Sequence, residues 1–358
     1  MNNYEMNLFY NKLYDEESRA IYEARFRYSL NRDYYQLMEK LWMINKDKDW
    51  DISPITERLI HACGNDSTEV IIFGAGNNGR NIFWELTRFS NIAIKFFLDN
   101  DISVAGQKWC GVTIFHPEEM KNQISNHKII LSIENVLARK EIKLQLEQYG
   151  VNSKNIIDPF LKGKRGIYSH VGKQYFDCPE ISFGENEVFV DAGCCDGATI
   201  ETFIKVCNNK CSRIYGFEPD TVCAQYCRQR FIGDSRIEMI EKGAWSEEGQ
   251  VHFEEKDEGL SCITDKGTKT INVDTIDRIC INDTVTYIKM DIEGAELEAL
   301  KGSKCIIERD KPKLAICIYH KPEAVWEIPQ LLMKYNPNYH FAIRHYHLTD
   351  YETVLYAW

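Results

Sequence analysis

The stretch that decides the fold reads Val190-Asp191-Ala192-Gly193-Cys194-Cys195-Asp196-Gly197-Ala198-Thr199. An apolar run ends in the acid Asp191, two glycines follow, and the pattern beyond them is helical. This order predicts a β-strand that enters an α-helix through a glycine turn, where backbone N–H groups can face a ligand. The turn lacks the lysine with which a Walker loop meets phosphates, so a cationic ligand without phosphate suits it better than ATP does.

The next apolar run also ends in an acid. It closes as Gly216-Phe217-Glu218-Pro219-Asp220, in which the carboxylate can accept hydrogen bonds from both hydroxyls of a ribose and the proline stops the strand. Together the two turns favour S-adenosylmethionine (SAM) as the ligand over a dinucleotide. The cofactor residues predicted from them are Asp191, Gly193, Asp196, Gly197, Glu218 and Pro219.

Predicted strands and helices alternate from about Gly172 to Trp358, and this alternation predicts one α/β domain. An extra hairpin is expected at residues 251–255 and 270–273. The predicted strands are residues 187–191, 213–217, 238–241, 286–290, 313–319, 340–344 and 353–357.

Several motifs in this region, in the right order, resemble the FkbM family of SAM-dependent methyltransferases. They are Phe189-Val190-Asp191-Ala192-Gly193, Gly216-Phe217-Glu218-Pro219-Asp220, Val273-Asp274-Thr275-Ile276-Asp277, Ile288-Lys289-Met290-Asp291-Ile292-Glu293-Gly294-Ala295-Glu296, Cys317-Ile318-Tyr319-His320-Lys321-Pro322 and Leu355-Tyr356-Ala357. The glycine turn departs from the commoner glycine-rich version because Cys194-Cys195 fills its middle. Both side chains are small, so we expect the cofactor to fit.

The resemblance implies a class I methyltransferase fold, with a mostly parallel seven-stranded sheet and an antiparallel last strand. Members of the family typically methylate hydroxyl groups of sugars or natural products. Methyltransferases of this class hold the adenine after the third strand, which here places Gly243 and Ala244 at the cofactor.

Methyl transfer from a sulfonium is an in-line displacement, in which the enzyme aligns the reactants and deprotonates the acceptor. An alcohol is a poor nucleophile near neutral pH, so a base is expected at the carboxyl ends of the strands. His320 and Asp291, which end neighbouring predicted strands, are the candidates. His320 could instead cap the turn before Pro322.

Residues near these two are candidates for binding the substrate: Glu293, Lys289, Tyr319, Arg344 and His345. For Lys289, Arg344 and His345 the alternative is an exposed, solvated charge. Asp291 or Glu293 could also hold the methionine amino group of SAM, whereas Glu293 could simply cap the helix that begins near Ala295. No metal is expected, although Asp291 with His320 could hold a divalent ion if more oxygen ligands were present. The pairs Cys207/Cys211 and Cys223/Cys227 are interpreted as ordinary thiols rather than a zinc site.

A second glycine turn lies in the middle of the chain. An apolar run, residues 70–73, leads into Gly74-Ala75-Gly76-Asn77-Asn78-Gly79, and the next run ends in Asp99. Further strands at residues 113–115 and 128–132 and a helix at 140–149 complete a small doubly wound sheet. The segment resembles the small Rossmann-like domains fused to sugar-modifying enzymes, including those that precede bacterial sugar acyltransferases.

This turn predicts a possible second nucleotide site at Gly74, Gly76, Gly79 and Asp99. A nucleotide-sugar is the favoured ligand and NAD the rival. Asp99 could bind a ribose or simply start a turn with Asn100 and Asp101. A turn that binds nothing and only closes the fold is an equally open alternative.

The N-terminal stretch is predicted to be helical, with one periodic pattern from Tyr22 to Leu41 and a later helix that Ser53 caps and Pro54 begins. We expect these helices to cover a neighbouring sheet. The predicted domains are a helical extension (residues 1–66), a Rossmann-like domain (67–160) and a methyltransferase domain (161–358), with a linker at 161–172.

The composition limits the remaining choices. The 358 residues carry a formal net charge of −11, which argues against nucleic acid as a partner. No apolar run approaches the roughly 18 residues of a membrane span, and thirteen unevenly spaced cysteines suggest reduced thiols. We expect a cytoplasmic enzyme.

Three functions compete. A SAM-dependent O-methyltransferase acting on a sugar, glycan precursor or natural product is favoured. An NAD- or nucleotide-sugar-dependent enzyme lacks a visible Tyr-x-x-x-Lys pair after the middle glycine turn. A non-catalytic nucleotide-binding protein is the third.

Overall fold

The computed structural model describes residues 3–64, 69–160, 169–178, 180–254, 262–263 and 269–358. Most of the predicted linker, residues 161–168, lies outside this range. The chain divides into two compact units. The large unit contains residues 1–47, 172–346 and 350–358, and the small unit contains residues 48–171 and 347–349.

The described residues contain thirteen α-helices, which have the following bounds: α1 (Asn3–Lys12), α2 (Glu16–Asn31), α3 (Tyr34–Asn45), α4 (Pro54–Cys63), α5 (Asn77–Phe89), α6 (Pro117–Met120), α7 (Val136–Gln148), α8 (Ala198–Val206), α9 (Thr221–Arg230), α10 (Ile276–Ile279), α11 (Glu296–Lys301), α12 (Lys304–Asp310) and α13 (Ala324–Tyr335).

The strands of the same residues are β1 (Trp50–Asp51), β2 (Glu69–Phe73), β3 (Ala93–Leu98), β4 (Lys108–Trp109), β5 (Val112–Phe115), β6 (Lys128–Leu131), β7 (Ile156–Ile157), β8 (His170–Val171), β9 (Glu187–Ala192), β10 (Cys211–Phe217), β11 (Ile237–Ile240), β12 (Gly243–Ala244), β13 (Gly249–Glu254), β14 (Cys262–Ile263), β15 (Lys269–Asp274), β16 (Tyr287–Met290), β17 (Lys313–Cys317), β18 (Phe341–His345) and β19 (Thr353–Ala357).

The large unit is built on a seven-stranded sheet with the order β11-β10-β9-β16-β17-β19-β18. All neighbours are parallel except β19, the last strand of the chain, which runs antiparallel to both β17 and β18. The seven predicted strands form this sheet, and the antiparallel last strand is confirmed. The predicted hairpin is present as the antiparallel pair β13 and β15, which belongs to a separate four-stranded sheet.

Alternation along β9 sorts its side chains onto two faces. Val188, Val190 and Ala192 join one apolar cluster, and Phe189 joins the other. Asp191 therefore lies on the Phe189 face, although it is fully buried. A buried carboxylate needs a partner, which the neighbouring strand supplies.

The N-terminal helices belong to both units. The predicted extension of residues 1–66 is divided, because α1–α3 belong to the large unit and α4 to the small unit. The helical pattern predicted from Tyr22 to Leu41 spans two helices: Arg32 adopts the left-handed conformation (φ 56°), and Asp33 caps α3 through the backbone N–H of Gln36. In the large unit α2 covers the outer strand β18, since Ile343 N–H donates to Ser18 Oγ.

The small unit has a six-stranded sheet with the order β4-β5-β3-β2-β6-β7. Its strands are parallel apart from β4. β4 and β7, of two residues each, escaped the sequence prediction because such short runs show no periodicity. Helix α4 begins as predicted, with Pro54 in its first turn and Ser53 accepting from Thr56 N–H.

Candidate active site

The glycine turn of the large unit requires both of its glycines. Gly193 has φ +79°, its N–H donates to Phe217 O (3.0 Å), and a Cβ there would collide with the carbonyl oxygen of Asp291. Gly197 precedes α8 with φ +82°, and a Cβ would lie 2.6 Å from the ring of Phe231. The turn thus brings the ends of β9, β10 and β16 close together, and the predicted strand–turn–helix is confirmed.

Glu218 joins this turn to the end of β10. One carboxylate oxygen accepts from Cys195 N–H (2.9 Å) and the other from Asp220 N–H (2.9 Å). The side chain is 9% exposed, and its burial raises the pKa of Glu218. Each carboxylate oxygen keeps a further lone pair, so the two hydroxyls of a ribose still fit as donors.

The other predicted cofactor residues surround Glu218. Pro219 separates it from Asp220, which caps α9 through Val222 N–H and Cys223 N–H. Asp196 is exposed and accepts from Ala198 N–H. Gly243 and Ala244 form β12; the Ala244 side chain lies in the apolar core, which leaves Gly243 and the backbone of Ala244 for the predicted adenine contact.

Lys289 is a correction to the sequence prediction, which treated it as an exposed or substrate-binding group. It pairs in register with Asp191 on the neighbouring strand, and its Nζ lies 3.0 Å from Asp191 Oδ1, with both side chains buried. Nζ also donates to the carbonyl oxygen of Gly193 (2.8 Å). Lys289 therefore neutralises Asp191 and holds the glycine turn, rather than contacting substrate.

Arg344 and His345 are corrected in the same way. Arg344 pairs with Asp15 (2.6 Å) at the start of α2 and donates to Ser18 Oγ. His345 is buried, with Nδ1 2.8 Å from Thr353 Oγ1. Both side chains serve the packing of β18, so neither is available to a substrate.

Asp291, at the end of β16, is the centre of a polar cluster. Tyr175 OH donates to one of its oxygens (2.7 Å) and Tyr319 OH to the other (3.2 Å). His320 Nε2 lies 3.4 Å from Asp291 Oδ1. The structure thus brings together three residues predicted from the sequence, Asp291, Tyr319 and His320.

His320 lies among three carboxylates. Its Nδ1 is 2.8 Å from Glu296 Oε1, and its Nε2 is 3.5 Å from Glu293 Oε2. Glu296 is buried and accepts from Ile292 N–H (3.0 Å), which fixes the loop between β16 and α11. Glu293 does not cap α11, whose first turn follows Ala295; it adopts φ 56° and remains partly exposed.

The charges of this cluster follow from those distances. Burial alone would lower the pKa of His320, but Glu296, Asp291 and Glu293 outweigh it and raise the pKa to about 9. Burial would raise the pKa of Asp291, but Lys289 and His320 lower it on balance. Burial raises the pKa of Glu293 to about 7. At neutral pH the metal-free site holds an imidazolium, which cannot accept a proton, so Asp291 is the better candidate base.

Sequence reasoning missed four residues of the cluster. Glu296 lies within a motif quoted above, but no role was assigned to it. Tyr175 precedes the first strand of the sheet and Glu352 precedes the last, and both lie outside the quoted motifs. Cys317 ends β17, with Sγ 3.8 Å from Tyr175 OH. Gln174 donates to Glu352, in which burial raises the pKa to about 7.

The glycine turn of the small unit is also formed as predicted. Gly74 has φ +104° and its N–H donates to Leu98 O (2.7 Å). Gly79 packs against the carbonyl oxygen of Gly74, with no room for a Cβ, whereas a Cβ on Gly76 would meet no atom within 4 Å. Asp99 accepts from Ala75 N–H (2.8 Å) and from Asp101 N–H (2.9 Å). The start of a turn at Asp99, one of the two alternatives, is therefore present.

The large unit has the fold of a class I SAM methyltransferase, as its strand order and its antiparallel last strand show. Residues 191–346 match the family model described as the methyltransferase FkbM domain. This match confirms the predicted resemblance of the region to the FkbM methyltransferases. Residues 66–157 match a second model, described as C2185-like, N-terminal.

Solved structures resemble the chain only distantly. Methyltransferase FkbM from Methylobacillus flagellatus KT is 19% identical, with 92% of this chain and 100% of that chain covered and a TM-score of 0.49. UDP-D-quinovosamine 4-dehydrogenase from Vibrio fischeri is 21% identical over 26% of this chain and 77% of its own (TM-score 0.23). Aeropyrum pernix fibrillarin with bound SAM is 13% identical over 50% and 69% (TM-score 0.33). At these TM-scores the likenesses carry no argument about function.

No curated protein matches the chain. Among the described residues, no helix is both long enough and apolar enough to cross a membrane.

Proposed function

We propose that the chain is a SAM-dependent O-methyltransferase that methylates a hydroxyl group of a sugar, glycan precursor or natural product. The observation that carries the proposal is the position of Asp291. Its backbone touches the glycine turn, and its carboxylate faces His320, Tyr175 and Tyr319. A candidate base thus lies beside a candidate cofactor turn at the carboxyl ends of parallel strands, where α/β sheets bind ligands.

The residues present fit the cofactor. Glu218 has the lone pairs that ribose hydroxyls need, and the exposed turn at Cys195 and Asp196 leaves room beside it. When bound, SAM supplies a methyl group activated by a sulfonium. The nearby acids Asp291 and Glu293 complement a cationic ligand.

The chain's own residues prepare the acceptor. Asp291 takes the proton of the acceptor hydroxyl, because the charge of Lys289 keeps its carboxylate ionised. Tyr175 and Tyr319 each donate to one of its oxygens and so fix its orientation. Glu296 lies 2.8 Å from His320 Nδ1 and complements its charge, and His320 Nε2 lies beside the Asp291 carboxylate. Glu293, the most exposed acid of the cluster, is placed to contact the substrate.

We place the enzyme in the cytoplasm, without nucleic acid as a partner. The cysteine side chains that the structure describes are all free thiols, in keeping with a reducing compartment. For the small unit we propose a nucleotide-sugar ligand. Helix α5 begins at Asn77 with no side-chain cap, and Gly76 leaves open space at that end.

The test is transfer of labelled methyl from SAM by the purified chain to a panel of sugars, nucleotide-sugars and phenolic or polyol natural products. We expect an alkali-stable methyl ether on at least one acceptor class and loss of transfer in Asp291→Asn. Binding of SAM without transfer to any hydroxyl, or a methyl group found on nitrogen, would overturn the assignment as an O-methyltransferase.

A further inference from the structure

The imidazole of His320 is buried without a proper hydrogen bond. Its side chain is 9% exposed, and neither ring nitrogen makes a hydrogen bond of acceptable geometry. Carboxylate oxygens nevertheless lie 2.8 Å from Nδ1 and 3.4 Å from Nε2. A buried polar group without a hydrogen-bond partner needs an explanation, and an absent ion is one that suits imidazole, the commonest metal ligand in proteins.

The distances suit a single ion. Asp291, Glu296 and His320 each offer one ligand atom, and the three atoms lie within 4.8 Å of one another. Ligands on opposite sides of an ion with bonds of about 2.1 Å are about 4.2 Å apart, so small side-chain rotations close the site. Glu293 Oε2, 3.5 Å from His320 Nε2, is the next oxygen within reach.

The fold brings these groups together from two neighbouring strands. Asp291 follows β16, Glu296 begins the helix after the same loop, and His320 comes three residues after the end of β17. Since β16 and β17 are parallel neighbours, their carboxyl ends meet at one edge of the sheet. Gly294, at φ +89° in the loop, lets the chain turn so that Glu296 faces back toward Asp291.

We propose that Asp291, Glu296 and His320 bind one divalent ion of the first transition row, such as Mn²⁺, Fe²⁺ or Zn²⁺. One imidazole with carboxylates favours these ions over Mg²⁺ and Ca²⁺, which prefer oxygen ligands alone. Three ligands fill fewer positions than such an ion takes, so positions remain for another molecule.

The ion has a use in the reaction proposed above, and this step rests on that proposal. A carboxylate is a weak base for an alcohol, whose proton is held far more tightly. An ion that binds the acceptor oxygen lowers the pKa of its hydroxyl. With the ion in place, the hydroxyl proton would pass to the Asp291 oxygen that is not bound to the ion. The acceptor oxygen would then bond to the methyl carbon as the sulfur–methyl bond of SAM breaks, and the electron pair of that bond would leave on the sulfur of S-adenosylhomocysteine.

The direct test is titration of the chelator-treated full chain with Mn²⁺, followed by electron paramagnetic resonance, without SAM or acceptor. We expect one ion per chain, displaced by Zn²⁺, with a spin-echo modulation from one imidazole nitrogen. His320→Ala and Glu296→Gln should each weaken binding at least about 10-fold, as loss of metal-site groups does. Circular dichroism and thermal unfolding check that the variants fold.

Glu352→Gln is the matched control. It removes a carboxylate that lies near Asp291 and Cys317 but is not one of the three proposed ligands. Binding in this variant should weaken less than in His320→Ala, since a neighbouring charge is lost but no proposed ligand of the ion. Equal weakening in Glu352→Gln and His320→Ala would show a general attraction of cations and overturn the site.

Two further outcomes would also overturn it. One is absence of Mn²⁺ and Zn²⁺ binding below about 1 mM, an affinity of only about 4 kcal/mol. The other is a bound ion whose spin-echo signal shows no imidazole nitrogen. This result excludes His320 as a ligand and needs only the wild-type chain, so it holds even if the variants do not fold. Full methyl transfer after complete metal removal would remove the ion from the reaction and leave the proposed function standing. Metal binding without SAM binding would leave the metal site standing and contradict the proposed function.

Discussion

The two glycine turns of this chain share one construction and differ in what surrounds them. In each, the first glycine has positive φ, and its N–H donates to the last residue of the second strand: Gly74 to Leu98 and Gly193 to Phe217. Each turn also needs a second glycine, because a Cβ on Gly79 would meet the carbonyl oxygen of Gly74 and a Cβ on Gly197 would meet the ring of Phe231. The glycine turn therefore allows a strand, a helix and a second strand to pack closely together.

The acids that follow are also used alike. Asp99 and Glu218 each accept one N–H from their glycine turn and another from the residue two positions later. Such an acid stabilises the turn even without a ligand. Its presence alone does not establish a ribose site, in either unit.

The difference lies on the adjacent strand. In the small unit Ser132 follows the neighbouring strand β6, and its hydroxyl donates back to the carbonyls of Phe73 and Gly74. In the large unit Asp291 occupies the corresponding place after β16, with His320 and Glu296 around it. The turn of the large unit thus has titratable side chains beside it, whereas a neutral hydroxyl occupies the corresponding place in the small unit.

The largest expected effect follows from that contrast. Asp291→Asn should lower the methyl-transfer rate by roughly 10²–10⁴-fold, because an amide cannot accept the acceptor proton. Ser132→Ala, at the matching place in the small unit, should leave transfer within about 3-fold of the wild type. Turnover numbers under saturating SAM measure both. Equal activity of Asp291→Asn and the wild type would remove Asp291 from the reaction.

The second prediction concerns SAM binding by Glu218 in the large unit and by Asp99 in the small unit. Glu218→Ala should weaken SAM binding by roughly 10- to 150-fold, since hydrogen bonds to a charged group contribute about 1.5–3 kcal/mol. Asp99→Ala should leave SAM affinity unchanged. Isothermal titration calorimetry on the full chain tests both variants. Weaker SAM binding in Asp99→Ala alone would place the cofactor in the small unit.

The third prediction separates structural glycines from a ligand-facing one. Gly193→Ala should destabilise the large unit by about 1–3 kcal/mol, because the new Cβ meets the Asp291 carbonyl at positive φ. Gly79→Ala should do the same to the small unit. Gly76→Ala, whose Cβ meets no neighbour, should change the free energy of unfolding by less than about 0.5 kcal/mol. Denaturant unfolding measures these changes, and a large loss in Gly76→Ala would contradict the assignment.

The smallest effect concerns the nucleotide-sugar proposed for the small unit. Wild-type protein should bind UDP- or GDP-sugars more weakly than SAM, and Gly76→Val should abolish that binding without loss of stability or SAM affinity. Calorimetry with the full chain provides the measurement. If no nucleotide-sugar binds at millimolar concentration, or if Gly76→Val binds equally well, the turn serves only the fold.

Local sequence signals were enough to predict the strands of the seven-stranded sheet, the two glycine turns and the position of Glu218 at the end of a strand. Each depends on residues that follow one another, such as an apolar run that ends in an acid and glycines. The same is true of Asp291 and His320, which end neighbouring strands. Their closeness required only that the sheet be parallel.

The sequence predictions failed where the answer depends on register or on distant segments. Lys289 is buried because register places it opposite Asp191, which the sequence of one strand does not reveal. Arg344 is bound by Asp15, more than 300 residues earlier. Tyr175 and Glu352 join the cluster through tertiary packing alone. The break at Arg32 interrupts an apolar periodicity that continues on both sides of it.

The central claim is that the large unit's glycine turn is the cofactor site. A crystal structure of the full chain with S-adenosylhomocysteine tests it most directly. The account predicts the ribose hydroxyls on Glu218 and the sulfur facing Asp291. Ligand density beside Gly76 and Asp99, with the Glu218 turn empty, would contradict it.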